Sequence, residues 1–296
     1  MRVDPSFSST VVNDIQQSSA ALQKAYQQVS TGLRVSTPSD NPAASAAYMT
    51  LQAHEAATDQ YSANAESVLA QMQTADSVLT STVGLLNRAL TIGTEGASST
   101  STVDRPALAS DITGILSSVV SLANTTVGGV SLFGGSVANT TAFTANPSSS
   151  TGYTYNGNDS VNAVSIGESL TVATNIPGNA LFTSPSASVL GALHDLATAL
   201  SNNDSTAIGA ATTSVTAALN YISQQHAVYG NIINTLTSQE QYLSQEKVTI
   251  SSQETTLVGI DTATAAEQLS QAELQNTTIY QASAKLLQNS LLSYLK

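Results

Sequence analysis

Ile208, Val215, Ile222, Tyr229, Leu236, Leu243, Ile250 and Leu257 are all apolar and stand at strict seven-residue intervals. A repeat of seven keeps one stripe of an α-helix facing one partner and predicts a supercoiled seam. The companion row, Ala211, Ala218, Gln225, Ile232, Gln239 and Glu246, is softer. It predicts tight packing at the start of the helix and a looser or mixed surface further on. A run of about 50 residues at ~1.5 Å rise is roughly 75 Å long. Such a helix is either a core member of a bundle or a rod in an elongated assembly.

The N-terminal half supplies a counterpart. Tyr61, Ala65, Val68, Met72, Ala75, Leu79, Val83, Leu86 and Leu90 recur in steps of three and four, the spacing of one helix face. A third helix starts near Asp104-Arg105-Pro106. There Asp104 can accept from a first-turn amide, and Pro106 suits a position whose N–H has no helical partner. Its seam is Leu108, Ile112, Ile115, Val119 and Leu122, and a shorter helix after Pro185 aligns Val189, Leu193, Leu196 and Leu200. Long helices from both halves lying side by side would bury all these faces. Residues 128–184 differ in texture, being rich in Gly, Asn, Ser and Thr. Tyr153-Thr154-Tyr155 leads into Asn156-Gly157, a tight-turn dipeptide, and Val161 to Val172 reads as one or two strands. This segment is expected to form a small β-rich insertion at the far end of the bundle.

Both chain ends carry apolar stripes. Phe7, Val11, Ile15, Leu22, Tyr26, Val29 and Leu33 form one; Leu269, Ala272, Ile279, Ala282, Leu286, Leu287, Leu291, Tyr294 and Leu295 form the other. Chain ends are usually frayed and polar. Burying one Leu or Ile is worth roughly 1.5–3 kcal/mol, while ordering each residue costs about 1–2 kcal/mol of backbone entropy. A lone helix with one stripe is therefore marginal. Either the two ends pair within one chain, or they gain order against neighbouring copies. Ile15, Leu22, Val29, Leu33, Leu286, Leu291 and Leu295 are the candidate interface residues. After the first stripe Gly32 permits a break, Pro38 and Pro42 forbid a continuous helix, and Pro42 biases Asn41 away from α geometry. Asp40 or Asn41 can cap the next helix. Gly32, Pro38 and Pro42 thus mark a fixed joint.

Composition narrows the function. Eight Lys+Arg stand against 20 Asp+Glu, a formal net charge of −12 with no basic cluster. Binding to nucleic acid or to anionic membranes is disfavoured. Only 9% of residues are charged, far fewer than usual, which suits flanks covered by neighbours. Aromatics are 5% with no Trp, which argues against an aromatic-rich core. The absence of Cys excludes disulfides, thiol nucleophiles and Cys-ligated metals. No stretch reads as long and apolar enough to span a bilayer, and Met1-Arg2-Val3-Asp4-Pro5-Ser6 does not read as a Sec signal peptide.

Candidate chemistry is sparse. His54, His194 and His226 lack metal-ligand spacing, and His194-Asp195 are adjacent and so face different ways. Gly128-Gly129-Val130-Ser131-Leu132-Phe133-Gly134-Gly135 lacks the lysine of a phosphate loop, and backbone turns account for it better. Glu240 and Glu246 read as solvated carboxylates on a helix face. No catalytic residue, cofactor or metal is expected, and the chain does not read as an enzyme.

Two stretches carry a family resemblance. Ser30-Thr31-Gly32-Leu33-Arg34-Val35-Ser36-Thr37-Pro38-Ser39-Asp40-Asn41-Pro42-Ala43-Ala44 resembles the signature after the first helix in bacterial flagellins and their relatives. Its Pro38-Ser39-Asp40-Asn41-Pro42 core is most like the hook–filament junction class, hook-associated protein 3. The run from Asp104-Arg105 to Leu122-Ala123-Asn124-Thr125, followed by Ser131-Leu132-Phe133-Gly134-Gly135, is similar to the family's third helix and aromatic-glycine strand. The Tyr155-Asn156-Gly157-Asn158 turn also fits. The central region departs from the pattern in being short and poor in charge.

The resemblance implies a mainly α fold: an elongated long-helix bundle or coiled coil formed by the N- and C-terminal halves, with a small β-rich domain inserted in the middle. The expected division is a terminal coiled-coil segment and joint over 1–42, bundle halves over 43–127 and 186–262, the insertion over 128–185 and a second terminal segment over 263–296. It also implies a structural subunit at the hook–filament junction, exported unfolded through the flagellar type III apparatus to the outside of the cell. Its partners would be hook-associated protein 1, flagellin, copies of itself in a ring and an export chaperone shielding the C-terminal stripe. A filament flagellin and a secreted binding module displaying the insertion are the alternatives.

Overall fold

The computed structural model describes residues 5–98, 104–137 and 141–294, with side-chain surroundings for 9–98, 104–137 and 141–285. In chain order it contains α1 (Pro5–Thr31), α2 (Pro42–Ala97), α3 (Arg105–Ala123), β1 (Thr126–Val127), β2 (Val130–Ser131), β3 (Phe143–Ala145) and β4 (Tyr153–Tyr155). There follow β5 (Ala163–Ser165), β6 (Thr171–Ala173), α4 (Gly178–Phe182), α5 (Val189–Ser201), α6 (Ser205–Val258) and α7 (Thr262–Tyr294). The fold is mainly α, with long helices from both halves and short strands between them. Two compact units form: residues 1–57 with 245–296, and Thr58–Ser244. Both α2 and α6 contribute to each.

The seven-residue row of α6 lies inward as its spacing predicts. Ile208, Val215, Ile222, Leu236, Leu243 and Ile250 are buried, as is Tyr229, and Leu257 is half-buried. The α2 helix carries a matching row, with Thr58, Ala65, Met72, Leu79 and Leu86 all buried at seven-residue steps. Within the 58–244 unit the apolar members of both rows share one core with α3 and α5. A Cβ on Gly93 of α2 would meet Thr212 Oγ1 of α6 at 2.6 Å.

Local chemistry sets the helix ends. Asp104 Oδ1 accepts from Ala107 N (3.2 Å) and Pro106 occupies the first turn of α3. Ser188 Oγ caps α5 through Gly191 N (3.0 Å), and Asp204 Oδ1 caps α6 through Thr206 N and Ala207 N (both 3.0 Å). By length and composition α3 is apolar enough to cross a membrane, contrary to the sequence reading. Its apolar positions serve another purpose: Ile112, Ile115, Leu116 and Val119 are buried in the helical core, and the helix packs along α5.

The central strands form three antiparallel hairpins, β1–β2, β3–β4 and β5–β6. Gly128 and Gly129 join the first with φ of +60° and +82°, the left-handed pair that a tight hairpin turn requires. Asn156-Gly157 does not close a hairpin. It follows β4, whose partner β3 precedes it, and the connection is the Asn146–Gly152 loop, drawn in by Asn146 N donating to Gly152 O (2.8 Å). Asn156 instead extends the ladder, with its N donating to Ala142 O (2.8 Å) and its Nδ2 to Thr141 O (3.1 Å).

The β5–β6 hairpin and α4 are tied to the sides of the long helices. Asn64 of α2 donates to Ser165 O (2.8 Å), Gln239 of α6 to Ile166 O (2.9 Å) and Tyr221 of α6 to Ala180 O (2.7 Å). Three of the four phenylalanines cluster here. Phe133 and Phe143 each meet Phe182 edge-on, with centroids 5.4 and 5.9 Å apart, and all three rings are buried. Tyr155 closes the cluster, its hydroxyl donating to Phe133 O (2.9 Å).

Candidate assembly surface

The unit built from residues 1–57 and 245–296 holds the joint and the two terminal helices. The α1 helix stops at Gly32, whose φ of +69° supplies the left-handed residue common after helices. The strand-like turn that follows is pinned to the end of α6. Arg34 N donates to Val258 O (2.6 Å), Ile260 N to Gly32 O (3.0 Å) and Arg34 Nη2 to Leu257 O (3.2 Å). Val35, Ala44 and Val258 are buried together beneath it, with Leu33, Tyr48 and Leu257 around them.

Asp40 and Asn41 divide the capping work. Asn41 Oδ1 accepts from Ala44 N (3.1 Å) and caps α2, with Pro42 as the first helical residue. Asp40 instead gathers the loop. It pairs with Lys24 Nζ (2.6 Å) and accepts from Thr37 N (3.2 Å) and Ser36 N (3.3 Å). The Lys24 ammonium, then the Thr37 amide, hold its carboxyl well below the usual carboxylate range. Pro38 lies in the turn between them.

The terminal helices α1 and α7 pack together within the chain and run antiparallel. Gly32, just past the end of α1, meets Ile260 at the start of α7, while Ser18 meets Asn276 deeper along both. Asp261 Oδ2 caps α7 through Thr264 N (3.1 Å), which lowers its pKa. The fully buried positions of the seam are small or polar, with Ile15, Leu22, Leu269 and Ile279 half-buried between them. Ser18, Ala25 and Gln28 of α1 and Ala265, Ala272 and Ser283 of α7 are buried. Tyr26 donates its hydroxyl to Glu273 Oε1 (2.7 Å) on the exposed flank. That bond to a carboxylate raises the phenol pKa.

The candidate interface residues divide. Ile15, Leu22 and Leu33 are half-buried, and Val29 is exposed. The side chains of Leu286 and Leu291 lie outside the described surroundings, as does that of Phe7, and Leu295 lies outside the described residues. Tyr26 is exposed and Ala282 is exposed; Ala25, Gln28 and Ser283 take the buried positions instead. The sequence held a signal for these: Ser18 and Ala25 are seven apart, as are Ala265, Ala272 and Ile279. Counting only large apolar residues hid it. What the pair leaves outward is large and apolar: Val12, Tyr26, Val29, Leu274 and Tyr280 are 42–68% exposed.

Reactive geometry is lacking at the histidines. His226 Nε2 lies 2.9 Å from Asp76 Oδ1 and 3.2 Å from Thr80 Oγ1. Both contacts fall on one ring nitrogen, so the carboxylate cannot orient the ring from the far side while the other nitrogen activates the hydroxyl. His54 pairs with Glu246 (3.3 Å) on an exposed flank, and His194 lies against Gly152. A cleft of about 490 Å³ beside the joint is lined by Arg34, Asn41, Ser252, Gln253, Thr256 and Leu257 among others, and its lining sets no His, Lys, Asp or Glu beside the two hydroxyls. Among the described residues no three His, Asp or Glu side chains gather as a metal site.

The family pattern of the bacterial flagellin N-terminal helical region matches residues 6–138, and that of the bacterial flagellin C-terminal helical region matches residues 212–295. The chain belongs to the bacterial flagellin family. The two flagellin matches take in α1, the joint, α2, α3 and the first hairpin on one side and most of α6 with α7 on the other. They leave out the remaining hairpins, α4 and α5. Solved structures similar to this flagellin-family chain include FlgL from Bacillus cereus, 25% identical, covering 70% of this chain and 97% of that one with a TM-score of 0.57. A flagellar hook-associated protein from Vibrio parahaemolyticus is 21% identical over 74% of this chain and 99% of its own, with a TM-score of 0.66. The flagellar junction protein FlgL from Legionella pneumophila is 15% identical over 72% of this chain and 100% of its own, with a TM-score of 0.60. No curated protein sequence matches the chain.

Proposed function

We propose that this chain is a structural subunit of the bacterial flagellum that works at the hook–filament junction, joining hook-associated protein 1 to the first flagellin subunits. The observation that carries this reading is the α1/α7 pair, which turns Val12, Tyr26, Val29, Leu274 and Tyr280 outward. Large apolar side chains left in water on a helix pair mark a surface that another chain covers. Ile15, Leu22 and Val29 on α1 and Leu33 just beyond it, with Leu286, Leu291 and Leu295 at the other end, supply the assembly interface. Gly32, Pro38 and Pro42 set the angle of the joint. The Pro38-Ser39-Asp40-Asn41-Pro42 turn and the hook-associated and FlgL relatives favour the junction over the filament. The subunit leaves the cell unfolded through the flagellar type III apparatus, with a chaperone shielding the C-terminal stripe. A chain without cysteine forms no disulfide that would obstruct such a passage.

Deleting the gene tests the reading. The expected result is cells with complete hooks, no filaments, and flagellin released into the medium; filaments return with a plasmid copy. Normal filaments on the deletion strain would contradict it.

A further inference from the structure

Arg34 is the one charged residue lining the cleft of about 490 Å³ beside the joint. Among the described residues no carboxylate pairs with it; its Nη2 donates to the Leu257 carbonyl (3.2 Å). The apolar part of the lining is Ala44, which is buried, with Leu51 and Leu257 half-buried. An apolar recess edged by an unpaired guanidinium fits a surface that brings an apolar side chain and a carboxylate together. A chain with 20 Asp+Glu against 8 Lys+Arg offers many carboxylates, so a copy of itself matches the charge of the cleft.

One place on the chain has both parts. Leu274 on α7 is 68% exposed, the most exposed large apolar side chain among the described residues. Glu267 stands seven residues before it, two turns along the same helix face and about 10 Å away. Glu267 is exposed, and Gln271 Nε2 donates to its Oε1 (3.2 Å) in a bond that a guanidinium can replace. The other exposed apolar residues of this unit lack such a companion. Val12, Tyr26 and Val29 on α1, Met49 on α2 and Val248 on α6 have no acidic residue three, four or seven positions away. Tyr280 has Glu273, but Tyr26 already donates to that carboxylate (2.7 Å).

We propose that Leu274 of one copy seats in the joint cleft of a second copy, with Glu267 of the first pairing with Arg34 of the second. Knob and cleft lie on different parts of the chain, so the contact is head-to-tail. Each copy then uses its knob on one neighbour and its cleft on another, and the row closes as a ring or runs on as a helix. The inference rests on the reading of this chain as a flagellar subunit that meets its own copies.

The chain has no cysteine, so introduced thiols report the contact. Ser252 lines the cleft and is exposed. In cells producing the full chain with Leu274→Cys and Ser252→Cys, mild oxidation of intact flagella is expected to give a ladder of disulfide-linked dimers and larger species. Either single variant is expected to stay monomeric. An unlinked double variant on flagella that carry filaments would overturn the proposal. So would dimers from Leu274→Cys alone, because like faces would then be meeting. Where the cysteine variants form no filaments, charge exchange decides. Arg34→Glu and Glu267→Arg are each expected to shrink the swimming zone in soft agar severalfold, and the combination to restore it. The bond to the Leu257 carbonyl is lost in the combination as well, so recovery isolates the contact between copies. A combination no better than the worse single variant would overturn the proposal. Failure of the junction reading shows separately, as normal filaments on the deletion strain.

Discussion

Glu254 Oε1 on α6 is sealed from solvent and has no hydrogen-bond partner, and Glu55 on α2 is the charged side chain acting on it. Desolvation first, then the like charge of Glu55, raises the Glu254 pKa above its ordinary value. A carboxylate with a raised folded-state pKa binds protons more tightly in the native state than in the unfolded chain. Its contribution is therefore a cost at neutral pH, and the cost is relieved as pH falls through the raised value towards the ordinary Glu value. Asp40 and Asp261 run the other way: their pKa values are lowered, so what they stabilise is lost only as pH falls through those lowered values. Glu254→Gln should raise the melting temperature at pH 7, with the gap from wild type shrinking as pH falls towards the ordinary Glu value. A lower melting temperature for the variant at pH 7 would show that the carboxylate is stabilising. None of this was legible in the sequence, where Glu254 is one more carboxylate on a polar helix. Burial of a single oxygen depends on how two helices meet.

At the scale of elements, legibility tracked the size of side chains. The α6 row was plain because large apolar residues repeat without a gap from Ile208 to Leu257. The terminal pair was half legible. Its members are identifiable as helices, and Val11, Ile15, Leu22, Leu269 and Ile279 of the apolar stripes are half-buried, but the fully buried positions go to alanine, serine and glutamine, which a count of large apolar residues passes over. Of the described members of the expected stripes, Tyr26, Val29 and Ala282 are the exposed ones. The hairpins were legible only as turns: Gly128-Gly129 closes one, whereas Asn156-Gly157 has the same turn chemistry and closes none, because β4 already pairs with the strand before it. Which strand pairs with which is a long-range choice that local propensity does not carry. The outward faces give the element-scale prediction. Val29→Asp with Leu274→Asp should leave helix content and melting temperature close to wild type, since both side chains are exposed. The same double variant should abolish motility. Motile cells carrying it would show that these faces make no essential contact.

For the whole molecule, the fold and the family were legible because the informative residues sit in the two segments that the flagellin patterns match. Residues 30–44 combine a helix stop, two prolines and two capping side chains, and the structure uses Gly32, Asn41 and Pro42 in those local roles. The residues between the matches, 139–211, carry no such signature, and the aromatic cluster around Phe143 and Phe182 had to be seen in three dimensions. The outward apolar band suits a building block whose faces are covered by other chains. Position on the flagellum is the direct test. Immunogold electron microscopy of whole cells, with antibody against the 141–173 hairpin region, should place label at a single site just beyond each hook. Label spread along the filament, or absent from the flagellum, would contradict the account.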